Sequence, residues 1–115
     1  MKVSKLFEGV HFSGKAKGDR KTYYVFEGDG DYLVVAHNSA ASFNLTVVDR
    51  EVPKVVARAF KGKHVTASRL RKGTRRPDLF DIPFAPLNAL YVMVGLGRAQ
   101  KLKQREGKAM VFKIK

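Results

Sequence analysis

Asp49-Arg50-Glu51-Val52-Pro53-Lys54-Val55-Val56-Ala57-Arg58-Ala59-Phe60 is where the chain changes its period. Within it Val52, Val55, Val56, Ala59 and Phe60 fall at i, i+3, i+4, i+7 and i+8, one stripe of an amphipathic helix. Pro53 lies near the first turn, where a missing backbone N–H costs least. Asp49 is a candidate N-cap, with Arg50 or Glu51 replacing it if Pro53 shifts the start. Gly62 follows the last apolar position and suits the left-handed residue beyond a helix end.

Upstream the pattern is that of strands. Thr22 to Glu27 is aromatic and β-branched, Gly28-Asp29-Gly30-Asp31 is a turn, and Tyr32 to Ala36 is the return strand. His37 to Ser42 reads as a loop. Phe43, Leu45 and Val47 alternate with Asn44, Thr46 and Val48, a third strand whose Phe43 face is expected to be buried under the helix stripe. Residues 1–21 are mixed, with one short strand suggested around Val10 to Phe12.

Downstream, Thr66 can cap a short basic helix, Ala67 to Lys72, stopped by Gly73. Its Ser68, Arg69, Arg71 and Lys72 are left facing water or a ligand. Gly73 to Phe84 is a loop. A third helix is predicted from Pro86 to about Leu96, apolar on almost every side and so expected to be buried or shared with another subunit. A β-hairpin follows, with Gln100 to Gln104 as a basic strand, a turn over Arg105 to Lys108, and Ala109 to Ile114 as the return.

The expected fold is therefore α+β: N-terminal antiparallel strands packed on a helical bundle with a C-terminal β-hairpin. Over about residues 50–115 the order helix, turn, short basic helix, third helix, hairpin resembles a winged helix-turn-helix. The resemblance implies DNA binding. It departs from the usual pattern in its long loop before the third helix, and in that helix having only Asn88 and Tyr91 as polar-tipped residues. With 115 residues the chain fits one domain, in which 1–49 is mostly a β scaffold and 50–115 the basic part.

Charge supplies the functional argument. Residues 1–57 hold eight Lys/Arg and seven Asp/Glu, whereas residues 58–115 hold fifteen and three. The second half thus carries +12 of the net +13, a potential that attracts polyanions and above all nucleic acid. The candidate interface is Arg58, Lys61, Lys63, Ser68, Arg69, Arg71, Lys72, Arg75 and Arg76, extended along the hairpin by Lys101, Lys103, Arg105 and Lys108. Arg98, Lys113 and Lys115 belong to the same basic tail. Arg69 with Arg71, or Arg75 with Arg76, could reach base edges or a narrow minor groove, with Asn88 a further candidate reader. Hairpin lysines also have the simpler use of protecting a sheet edge.

Other chemistries find less support. Tyr23, Tyr24, Phe26, Tyr32 and Phe43 lack the interleaved cations of a base-stacking platform and fit a core better. His11, His37 and His64 are isolated, and there is no Cys, so no thiolate metal site exists. Asp29 and Asp31 suit a turn better than a calcium loop. Pro77-Asp78 and Glu106-Gly107-Lys108 have the letters of a metal-dependent nuclease, but a buried-looking helix separates them. No signal-peptide run opens at Met1 and no segment nears the ~18 apolar residues of a membrane span.

The expectation is a non-enzymatic, cofactor-free DNA-binding protein, cytoplasmic and nucleoid-associated, without membrane contact. Duplex DNA is favoured over RNA, a sequence-specific regulatory role is open, and a homodimer through the sheet is open too. An RNA- or ribosome-binding module and a metal-dependent nuclease are the alternatives.

Overall fold

In a computed structural model residues 9–38 and 42–115 are described. The N-terminal segment 1–8 and residues 39–41 of the expected 37–42 loop lie outside them. A four-stranded antiparallel meander opens the fold: β1 (His11–Lys17), β2 (Thr22–Glu27), β3 (Asp31–His37) and β4 (Phe43–Asp49), in the order β1-β2-β3-β4. Helix α1 (Val52–Phe60) follows, then a short strand β5 (His64–Val65). A 3-10 turn (Ala67–Arg69) runs into α2 (Leu70–Thr74), and a second one (Pro77–Leu79) leads to α3 (Ala85–Gly95). The hairpin of β6 (Ala99–Glu106) and β7 (Ala109–Ile114) closes the chain, and β5 joins it in a small sheet of order β5-β7-β6.

Helix α3 is the centre of the molecule. Asn88 through Met93 and Gly95 are all buried, so this helix has no solvent face. One side lies on the inner face of the four-stranded sheet. There Gly95 meets Val25, and Gly14 of β1 comes so near that a Cβ built on it would lie 2.2 Å from the Gly95 carbonyl oxygen. Tyr91 ties the two sheets together: its ring stacks on Tyr23 of β2 at 4.1 Å and meets Phe112 of β7 edge-on at 6.4 Å. Burial pushes the Tyr91 hydroxyl pKa well above its ordinary value. The rest of the core is Ala16, Val34, Val48, Val52, Val56, Val65, Leu70, Phe80, Ala99 and Ile114.

Several sequence expectations are corrected. The sheet has four strands, because the stretch around Phe12 continues to Lys17 and pairs along β2, with an irregularity between Phe12 and Gly14. β4 presents the opposite face from the one expected: Val48 is buried while Phe43 and Val47 stand exposed. α1 buries Val52 and Val56 against α2 and α3, not over the Phe43 face. The cap of α1 is Glu51, the alternative to Asp49 that Pro53 suggested, and the Asp49 Oδ1 accepts the Glu51 N–H at 2.8 Å. Gly73 does not end the basic helix but sits inside it, where the Phe60 ring occupies the room a side chain would need. The helix ends at Arg75, which adopts φ 60, a conformation uncommon without glycine.

Candidate nucleic-acid interface

Three elements carry the cations, and three contacts bring them together. Phe60 against Gly73 sets α2 beside the end of α1. The Gly62 N–H donates to the Ile114 carbonyl at 2.7 Å and the Ile114 N–H to the Lys63 carbonyl at 3.0 Å, joining the Lys61–Lys63 turn to β7. Arg69 donates to the Glu106 carboxylate at the hairpin end, joining the turn before α2 to β6. The surface therefore runs from the end of α1 across α2 to the hairpin. Lys113, opposite His64 in the β5–β7 register, lies next to the Lys61–Lys63 turn.

The predicted residues divide by whether an acid already holds them. Arg76 is clasped by Glu51 at 3.1 Å and Asp78 at 3.0 Å. Its hydrogen bonds hold the Asp78 carboxyl below the usual carboxylate range and raise its own pKa. Arg105 donates to Asp19 and to the Lys108 carbonyl, and Lys101 stands 3.9 Å from Asp19. The Arg105 hydrogen bond likewise depresses the Asp19 carboxyl. Ser68 and Thr66 share a hydroxyl hydrogen bond of 3.1 Å. Arg69, Arg76, Lys101 and Arg105 thus fasten elements to one another.

Arg58, Lys61, Lys63, Arg71, Lys72, Arg75, Lys103 and Lys108 are exposed and have no ion pair among the described residues. Asn88 is removed as a reader: it is buried, and its amide donates to the Phe84 carbonyl at 2.9 Å. Tyr91, the other polar-tipped residue of α3, is buried too. Among the described residues α3 is enclosed, whereas α2, its flanking turns and the hairpin stand at the surface.

Of the acids that sort these cations, Asp19 went unremarked in the sequence reading, while Glu51 was named as a cap and Asp78 and Glu106 in the nuclease letters, none of them as a partner of an arginine. The signal available was their scarcity: the basic half has only Asp78, Asp81 and Glu106. Asp78 and Glu106 are held by different arginines, and no group of three or more potential metal ligands gathers among the described residues. A cavity of about 500 Å³ opens between the sheet and α3, and its lining includes Lys21, Tyr23, Asn44, Phe84, Asn88 and Tyr91 but none of the eight cations without an ion pair. Among the described residues no helix is long and apolar enough to cross a membrane. No family model, curated protein or solved structure matches the chain.

Proposed function

We propose that this protein binds nucleic acid without catalysis, duplex DNA in preference to structured RNA, through the surface formed by α1's end, α2 and the hairpin. The observation that carries the reading is a set of eight exposed cations, gathered on those three elements, that have no ion pair among the described residues. The connectivity supports a winged helix-turn-helix arrangement, since β5 lies between the first two helices and pairs with the second strand of the hairpin. The enclosure of α3 sets this protein apart from docking by a helix inserted in the major groove. Phosphate contacts by α2 and the hairpin do the work instead. A nucleoid-associated, cytoplasmic location goes with this reading.

The test is an electrophoretic titration against duplex DNA, single-stranded DNA and structured RNA at two salt concentrations. Neutralising about five phosphates gives a slope of log K against log salt near −4.5 on duplex DNA. A flat response excludes electrostatics as the main contribution, tighter binding to structured RNA favours the RNA alternative, and magnesium-dependent cleavage reveals a nuclease.

A second prediction separates free from fastened cations. Arg71→Ala with Lys72→Ala weakens DNA binding roughly tenfold or more and reduces the salt slope by about 2, since each lost phosphate contact removes close to one unit. Arg69→Ala changes affinity much less, because that guanidinium is already on Glu106. Both variants alter stability by less than about 0.5–1 kcal/mol, as exposed substitutions and exposed ion pairs do. Equal binding losses would show that Arg69 leaves Glu106 for the phosphate.

A further inference from the structure

The outer face of the four-stranded sheet carries a second surface, unlike the basic one. Register places its residues in rows across the strands. One row is Lys15, Tyr24, Val35 and Leu45; the next is Phe12, Phe26, Leu33 and Val47. Lys17 with Thr22, and His37 with Phe43, stand at one end; Asp31 and Asp49 stand at the other, directly opposite each other. Phe12 is 56 % exposed, Tyr24 38 %, Phe43 53 % and Val47 57 %. Large apolar side chains clustered on one face mark an interaction site.

Charge says what covers it. Asp31 and Asp49 form a like-charge pair across the ladder, an unfavourable arrangement, and neither has an ion pair among the described residues. Lys15 and Lys17 are equally unpaired, at the diagonally opposite corner. A face with an acidic and a basic corner on one diagonal is complementary to itself. Turn a second copy about a two-fold axis lying between the faces, along the other diagonal. Its strands then cross these near a right angle, a standard packing of two sheets. Lys17 comes over the partner's Asp49, Lys15 over the partner's Asp31, and Phe43 meets the partner's Phe43.

We propose that the protein forms a homodimer through this face, as an orthogonal β-sandwich. Apolar burial supplies the affinity, and the corner charges fix the orientation. Four strands of six or seven residues span only about 19 by 23 Å. That is the low end for a stable interface, so dissociation falls in the micromolar range. The inference stands independently of nucleic-acid binding and is tested without DNA.

The experiment is light scattering on a sizing column from about 1 to about 300 µM protein, bracketing that range. The mass rises from monomer to dimer. Val47→Glu, at an exposed position, leaves the circular dichroism and melting curve intact and holds the protein monomeric, weakening association at least 100-fold. Lys15→Glu/Lys17→Glu and Asp31→Lys/Asp49→Asn each remain monomeric alone, because each removes the opposite-sign pairing. Asn at 49 keeps an acceptor for the Glu51 N–H. Mixed together, the two variants form a one-to-one heterodimer. A wild-type monomer throughout, a dimer that survives Val47→Glu, or a mixture that stays monomeric overturns the proposal.

Discussion

Gly14→Ala destabilises the fold by about 3 kcal/mol or more, the range of severe core overpacking. The position is open to alanine as far as its backbone is concerned, since Gly14 is not among the residues with positive φ. The obstacle is across the contact. The new methyl would lie 2.2 Å from the Gly95 carbonyl oxygen and 3.0 Å from its carbon. That neighbour is helix backbone, which cannot rotate aside as a side chain can. Either β1 lifts from α3 or the helix shifts off the sheet, and each movement loosens Val25, which itself sits against Gly95. Denaturant unfolding measures the loss. Gly30→Ala is the control: nothing lies within 4 Å of its added carbon, and its cost stays below about 0.5 kcal/mol. If Gly14→Ala is as mild as Gly30→Ala, the helix does not rest on the sheet this closely.

That contact also explains what the sequence concealed. Helix α3, its burial and the hairpin after it could be read from an unbroken apolar run followed by Gly107 between two short strands. β1 could not, because His-Phe-Ser-Gly-Lys-Ala-Lys has no β-branched residue. It is a strand because β2 pairs with it and because only small residues, Gly14 and Ala16, let the sheet approach the helix. The same constraint reverses β4. Phe43, Leu45 and Val47 look like the core side by bulk, yet the inner face lies under α3 with the slim Val25, Val34, Ala36 and Val48 and with Tyr23 laid flat on Tyr91. β5 has two residues, too few for any period to show. At the interface, the cations were legible and their pairing was not. Arg69 meets an acid 37 residues away and Arg105 one 86 residues away, separations that no local pattern encodes.

Residues 50–115 expressed alone do not fold, although they contain every cation of the proposed DNA surface. The reason lies in α3. A helix that is stable at a surface keeps a polar side for water, and this one has only Asn88 and Tyr91 to offer, both turned inward. Removing the sheet uncovers the side of α3 that met Gly14, Tyr23 and Val25, and strips Tyr91 of its stacking partner. Each large apolar side chain returned to water costs about 1.5–3 kcal/mol, against a total stability of about 5–15 kcal/mol for a domain. A few such losses exceed it. The hairpin also loses Asp19, which holds Lys101 and Arg105 from the β1–β2 turn. Circular dichroism and amide proton dispersion of the fragment report the outcome. It is expected to be aggregated or without cooperative unfolding, and to bind DNA only as a flexible polycation does, with no preference between duplex and single strand. A fragment with dispersed resonances and a cooperative melt would show that the helices and hairpin stand as a domain of their own. The sheet would then be a separate module, and its contact with α3 a docking of two folded parts.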